Sequence, residues 1–194
     1  MTEREPFTAE LVLRAYCQGI FPMGHDDGSI YWYSPDPRCI FDLDNFHVTS
    51  RLARTIRKGL YEVRVDTCFE DVMWACADRD STWITEEIVQ VYCQLHAYGF
   101  AHSVETFFEG QLVGGLYGVS IGGAFMGESM FFRRTDASKV ALVHLVERMK
   151  ERGFILLDTQ YNNKHLASFN SLEIPRSEYL ARLKNALALD CKFV

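Results

Sequence analysis

At 194 residues, 48% of them hydrophobic, the chain can bury one continuous core or a core with a small annex, and it has no apolar run approaching the roughly 18–20 residues of a membrane span. Residues 1–10 carry no apolar leader core, so a soluble, cytoplasmic protein is expected. The net charge of -6 argues against a general polyanion binder, whose affinity would come mainly from neutralising phosphates.

Thr8 is a fair N-cap for a helix over 9–18, with Leu11, Val12 and Tyr16 at helical spacing and Gly19 as its left-handed stop. Residues 20–40, rich in proline, glycine and aspartate, read as an ordered loop whose aromatics Phe21, Tyr31, Trp32 and Tyr33 must still find cover. A helix at 49–58 leads to a strand at 61–66, a helical segment at 69–77 and a long helix over 85–98 that ends at Gly99. Three alternating runs, 102–108, 111–121 and 124–132, separated by glycine turns, predict an antiparallel meander. A helix over 137–153 follows, with Leu142, Leu145, Val146 and Met149 on one face. Then come the apolar run 154–158, read as an interior strand, a short helix near 163–169 and a last helix at 177–189. The fold class is therefore α+β, a mixed-sheet α/β arrangement, with a small N-terminal region at 1–60 and a larger unit at 61–194.

The six cysteines contain no CxxC pair and read as reduced, mostly buried thiols. Cys93, His96 and His102 come nearest to a metal pattern, but the first two fall on a helix and the third beyond its glycine stop, so no metal site is expected. Arg51, Arg54, Arg57 and Lys58 recur at helical spacing, and Arg133, Arg134 and Lys139 form a second basic cluster. Either could be a phosphate-binding surface; the plain alternative is a solvated helix face.

Asp158 closes the apolar strand, where ligands commonly sit in α/β sheets, and Gln160 would share its face if the chain stays extended; the plain alternative for Asp158 is a cap. Glu128 stands in an apolar strand, flanked by Met126 and Met130 on its own face, and a charge there is costly unless paired or at a half-exposed edge.

Further blocks run in order from Ala15 to Arg176: Ala15-Tyr16, Gly19-Ile20-Phe21-Pro22, Ser34-Pro35-Asp36-Pro37-Arg38, Thr82-Trp83-Ile84-Thr85, Ala101-His102-Ser103-Val104-Glu105, Leu112 to Gly118, Gly127-Glu128-Ser129-Met130-Phe131, Ala137-Ser138-Lys139, Asp158-x-Gln160 and Ile174-Pro175-Arg176. Together they resemble the signature blocks of the leucyl/phenylalanyl-tRNA–protein transferases. The resemblance implies a GNAT-like acyltransferase domain. It also implies transfer of leucine or phenylalanine, less readily methionine, from aminoacyl-tRNA to proteins beginning with arginine or lysine, whose products enter N-degron proteolysis.

Carried over by that resemblance, Asp158 and Gln160 are the reaction-centre pair and Glu128 the acidic residue beside it. Leu116, Phe125, Met130, Leu142 and Leu145 line an apolar pocket for the aminoacyl side chain, and Trp83 lies near the terminal adenosine. No cofactor is expected, because an aminoacyl ester is already activated and a peptide α-amine, with a pKa of roughly 7.7–8, is partly neutral near pH 7. The sequence departs from many members in its short N-terminal region, in Met23 and Tyr33 where tryptophan occurs, and in Leu145 where phenylalanine can occur. An acyl-CoA N-acetyltransferase is a rival reading, although no Gly-rich pyrophosphate turn precedes the helix at 137. A tRNA- or peptide-binding module without turnover is another.

Overall fold

A computed structural model describes residues 6–25 and 27–194; residues 1–5, part of the segment read as lacking a leader core, fall outside that range. Helix α1 (Ala9–Cys17) is capped by Thr8, whose hydroxyl accepts from Leu11 N–H at 3.2 Å, and is followed by Gly19 at φ 74°. The segment 20–40 is not a loop. It forms strands β1 (Phe21–Gly24) and β2 (Ile30–Tyr33), paired as an antiparallel hairpin, and β3 (Arg38–Phe41). Each is only four residues long, too short for periodicity to stand out among the turn formers.

Helix α2 (Ser50–Arg57), strand β4 (Glu62–Val65), helix α3 (Phe69–Ala77) and helix α4 (Glu86–Ala97) follow. The meander is β5 (Ala101–Phe108), β6 (Gln111–Ile121) and β7 (Ala124–Phe132), then come helix α5 (Ala137–Glu151) and strand β8 (Leu156–Gln160). Helix α6 (Lys164–Ala167), strand β9 (Ser171–Ile174) and helix α7 (Arg176–Leu187) complete the chain. Strand β8 starts two residues later than the apolar run suggests, because Phe154 N–H still bonds back to Met149 across the helix end. Strand β9 has no counterpart among the elements expected from sequence; it is an edge strand whose register is supplied by β3.

The large sheet has the order β4-β5-β6-β7-β8-β3-β9. Residues 38–41, assigned by sequence to the small N-terminal region, therefore lie inside it. All pairings are antiparallel except β7 with β8, which α5 joins as a crossover. One hydrophobic cluster draws on α1, α3, α4 and α7, and a second centres on α5. Neighbouring strand residues such as Leu116 and Tyr117 fall in different clusters, so these cover opposite faces of the sheet.

Of the six cysteines only Cys39 and Cys76 are fully buried, fewer than the apolar periodicity suggested. His102 does not point towards a cysteine. Its Nδ1 lies 2.7 Å from Asp66 Oδ2 and its Nε2 3.1 Å from the Gly99 carbonyl, which ties the start of β5 to the end of β4. Glu105, in the same strand, accepts from Thr67 and Ser103, so much of the Ala-His-Ser-Val-Glu block is a set of internal pins.

Candidate active site

The site begins at an irregularity in β7. Tyr117 pairs with Ser129 and Gly118 with Gly127, so Glu128 is the extra residue of a bulge. The bulge reverses the alternation: Met126 packs into one hydrophobic cluster and Met130 against the other, and Glu128 does not share a face with both as simple alternation required. Gly118 is the partner that permits it, since a Cβ there would run into the Met126 carbonyl oxygen and the Phe125 ring. Gly118→Ala should destabilise the fold by about 1–3 kcal/mol, or several degrees in Tm for a chain of this size, and a thermal melt measures it.

Beyond the bulge the parallel strands part. Register between β7 and β8 covers only Ala124–Met126 against Leu156–Asp158, although both strands continue. The gap is a cavity of about 470 Å³ lined from the α5 side by Leu116, Met130, Ser138, Leu142, Leu145 and Leu157. Its other wall is formed by Phe21, Met23, Arg79, Trp83, Tyr117 and Ser129, with Glu128 and Gln160 between the two walls. The floor of one half is apolar and the centre is polar, the usual composition of a small-molecule site.

Asp158 is fully buried and does not reach the cavity. Its carboxylate receives Arg38 in a bidentate fork, Nε to Oδ1 at 2.8 Å and Nη2 to Oδ2 at 2.6 Å, together with Tyr179 O–H at 2.8 Å. Arg38 is equally buried. Burial alone would weaken its charge, but contact with Asp158 outweighs this and its pKa lies above the usual arginine value. Oδ1 of Asp158 also accepts the backbone N–H of Gln160 at 2.9 Å. The chain does not stay extended there: Gln160 sits at φ 57°, a left-handed conformation held by that bond, and its Nε2 donates to Glu128 Oε1 at 2.9 Å.

Burial pushes the Glu128 carboxyl up to about 8, and the charge of Asp158 adds to this, while hydrogen bonds from Tyr16 and Gln160 and the charge of Arg38 pull it back. Tyr16 in turn lies 2.5 Å from the hydroxyl of Tyr92, both rings being buried beneath the site. A carboxyl raised in this way favours the folded state at low pH. Stability from Glu128 is present below about 4.5 and is lost as pH rises through about 8, unless a cation arrives to hold the charge.

Residues 40–184 match the family model described as leucyl/phenylalanyl-tRNA protein transferase, and residues 5–36 match the N-terminal domain of the same family. The chain belongs to this family. A leucyl/phenylalanyl-tRNA–protein transferase of Gloeobacter violaceus is 60% identical over 96% of this chain and 97% of its own. Those of Herpetosiphon aurantiacus and Rubrobacter xylanophilus are each 54% identical, covering all of both chains in the first case and 96% and 98% in the second. Among solved structures, a GCN5-related N-acetyltransferase-like protein from Streptococcus suis aligns at 12% identity and a TM-score of 0.39, over 89% of this chain and 61% of that one.

Within this transferase, the cavity brings together Gln160, Glu128, Trp83, Leu116, Met130, Leu142 and Leu145. Phe125 is not on the wall. It is wholly buried, with its ring 5.1 Å from that of Phe193, so it supports the pocket from behind. The basic helix stands apart: Arg54 and Arg57 on α2 and Lys58 at its C-cap are exposed, while Arg51 forks onto Asp136 at 2.6 and 2.8 Å. Asp136 precedes α5 and follows Arg133 and Arg134, so the two basic clusters, separate candidates in the sequence, adjoin in space. Sequence reasoning missed Arg38, Tyr179, Tyr92 and Arg79 as parts of the site. Arg38 had a usable signal, a lone cation in the four-residue apolar strand Arg38–Phe41.

Proposed function

We propose that the cleft between β7 and β8 is where the aminoacyl group changes hands. The family activity moves leucine or phenylalanine from charged tRNA to proteins that begin with arginine or lysine, and the products feed N-degron proteolysis. The observation that carries the reading is the junction of an apolar pocket with the Glu128–Gln160 pair, the latter fixed from behind by Asp158. The leucyl or phenylalanyl side chain enters among Leu116, Met130, Leu142 and Leu145, where unbranched Met130 adapts to either shape. Trp83 meets the terminal adenosine. Since charged tRNA is the donor, we place the reaction in the cytoplasm.

The α-amine of the acceptor attacks the ester carbon, the C–O bond to the terminal ribose breaks, and the amine proton passes to the ribose oxygen. Gln160 donates to Glu128 through Nε2, so its Oε1 is the atom that accepts from the amine and holds it against the ester. Asp158 and Arg38 position Gln160 without touching substrate. Positioning of this kind supplies much of what an already activated ester requires. Glu128 supplies the negative charge for the cationic acceptor end. A transfer assay with labelled leucyl-tRNA and a peptide starting with arginine tests the reading, and absence of product would sink it.

With its carboxyl raised to about 8, Glu128 is largely neutral at pH 7 in the empty site. A bound cation favours ionisation, so a peptide starting with arginine should release protons on binding at pH 7, and its affinity should rise with pH towards 8. Calorimetry in two buffers of different ionisation enthalpy measures the release; equal release by Glu128→Gln would assign the proton elsewhere.

We place tRNA backbone contacts on Arg51, Arg54, Arg57 and Lys58, with Arg133, Arg134 and Lys139 continuing the surface. Arg54→Ala with Arg57→Ala should flatten the salt dependence of tRNA binding, by about 0.7–0.9 in slope for each phosphate that is no longer neutralised, without changing the choice of aminoacyl group. An unchanged slope would leave α2 a solvated face.

A further inference from the structure

Arg79 lines the transfer cleft, and the roles assigned above leave it unused. It is exposed, and its guanidinium bonds only neutral oxygens: Nη2 donates to Ser129 Oγ at 3.1 Å and to the Met130 carbonyl at 3.2 Å. No carboxylate among the described residues forms an ion pair with it. Those bonds fix where the charge stands. Ser129 and Met130 are the next two residues outward from Glu128 on β7, and a strand advances about 3.3 Å per residue, so the fork lies just outside the reaction centre. Arg79 also shares the connection between α3 and α4, residues 78–85, with Trp83, which lines the same cleft.

An unneutralised guanidinium at the mouth, on the same loop as an aromatic platform, calls for an anion close to a base and close to the reacting ester. In an aminoacyl-tRNA the nearest anion to the ester is the phosphodiester one sugar away, on the 5′ side of the terminal adenosine. We infer that Arg79 is the clamp for that phosphodiester. The planar fork suits phosphate oxygens, and in a chain of net charge -6 a local cation is what allows the RNA end to settle there. The inference rests on the reading of the cleft as the site of the aminoacyl end. Anchoring the phosphate would fix the distance from ribose to Gln160 independently of which side chain fills the apolar pocket.

The test uses two small donors that differ only in the anion: the 3′-leucyl ester of adenosine and the 3′-leucyl ester of adenosine 5′-phosphate, each with a peptide starting with arginine as acceptor. In the wild type the phosphate should raise kcat/KM roughly tenfold or more. In Arg79→Gln the ratio between the two donors should fall towards one, and Arg79→Lys should recover part of it. A packing role for Arg79 through Ser129 would change both donors alike and cancel in the ratio. A ratio in Arg79→Gln equal to that of the wild type, or no phosphate effect in the wild type, would overturn the assignment of Arg79 while leaving the cleft as the transfer site. Failure of the wild type to use either ester, or leucyl-tRNA, would overturn the reading of the cleft itself.

Discussion

Asp158→Ala is expected to lose both stability and nearly all transfer. The substitution leaves the guanidinium of Arg38 in a site with no access to solvent and no counter-charge, which costs about 3–5 kcal/mol. For a chain of this size that corresponds to a fall in Tm of roughly 10 °C or more. Transfer should fall in the same variant because Oδ1 of Asp158 is what holds the Gln160 N–H, and with it the left-handed backbone that aims the amide at Glu128. The double change Arg38→Met with Asp158→Leu separates the two effects. Removing both charges should recover part of the Tm, as buried ion pairs commonly tolerate apolar replacement, while transfer stays low because Gln160 has still lost its acceptor. Thermal melts and the leucyl-tRNA assay on both variants decide it; normal transfer by the double variant would show that Asp158 serves the fold alone.

Gln160→Asn should do the reverse, cutting transfer by roughly 10²-fold with little change in Tm. Loss of a single preorganised hydrogen-bonding group from a reaction centre has an effect of that order. Asparagine is among the side-chain-bearing residues that best tolerate a left-handed backbone such as φ 57°, so the fold is not put at risk. The shorter side chain withdraws both the donor to Glu128 and the oxygen proposed to accept from the amine. The effect should appear in kcat more than in the KM for leucyl-tRNA, because the apolar pocket proposed for the aminoacyl side chain is untouched. Transfer within a few-fold of the wild type would remove Gln160 from the reaction centre.

The contrast between these variants marks where a sequence pattern stops being informative. Asp158-x-Gln160 is visible as a motif, yet by spacing alone both residues read as members of one pair on a shared face. The structure makes one a buried anchor and the other the residue that faces the cleft, and the difference lies in Arg38, distant in sequence and adjacent in space. Phe125 and Met130 are likewise grouped as pocket residues by the family resemblance. The bulge at Glu128 brings Met130 to the same face of the sheet as Phe125, where Met130 lines the wall and Phe125, packed on Phe193, lies behind it.

The sequence by itself determined the elements with strong local causes: α5 from its apolar stripe, α1 from Thr8 and Gly19, and the meander from glycine turns between alternating runs. It also determined the family, because ordered blocks of residue types carry that information without any geometry. Only the tertiary structure decided that β3 enters the sheet beside β8, that β7 and β8 separate beyond Asp158, and that two basic clusters meet at Asp136. Each of these depends on pairing between segments far apart in the chain, where register, burial and ion pairing are settled by packing and leave no period for a local pattern to reveal.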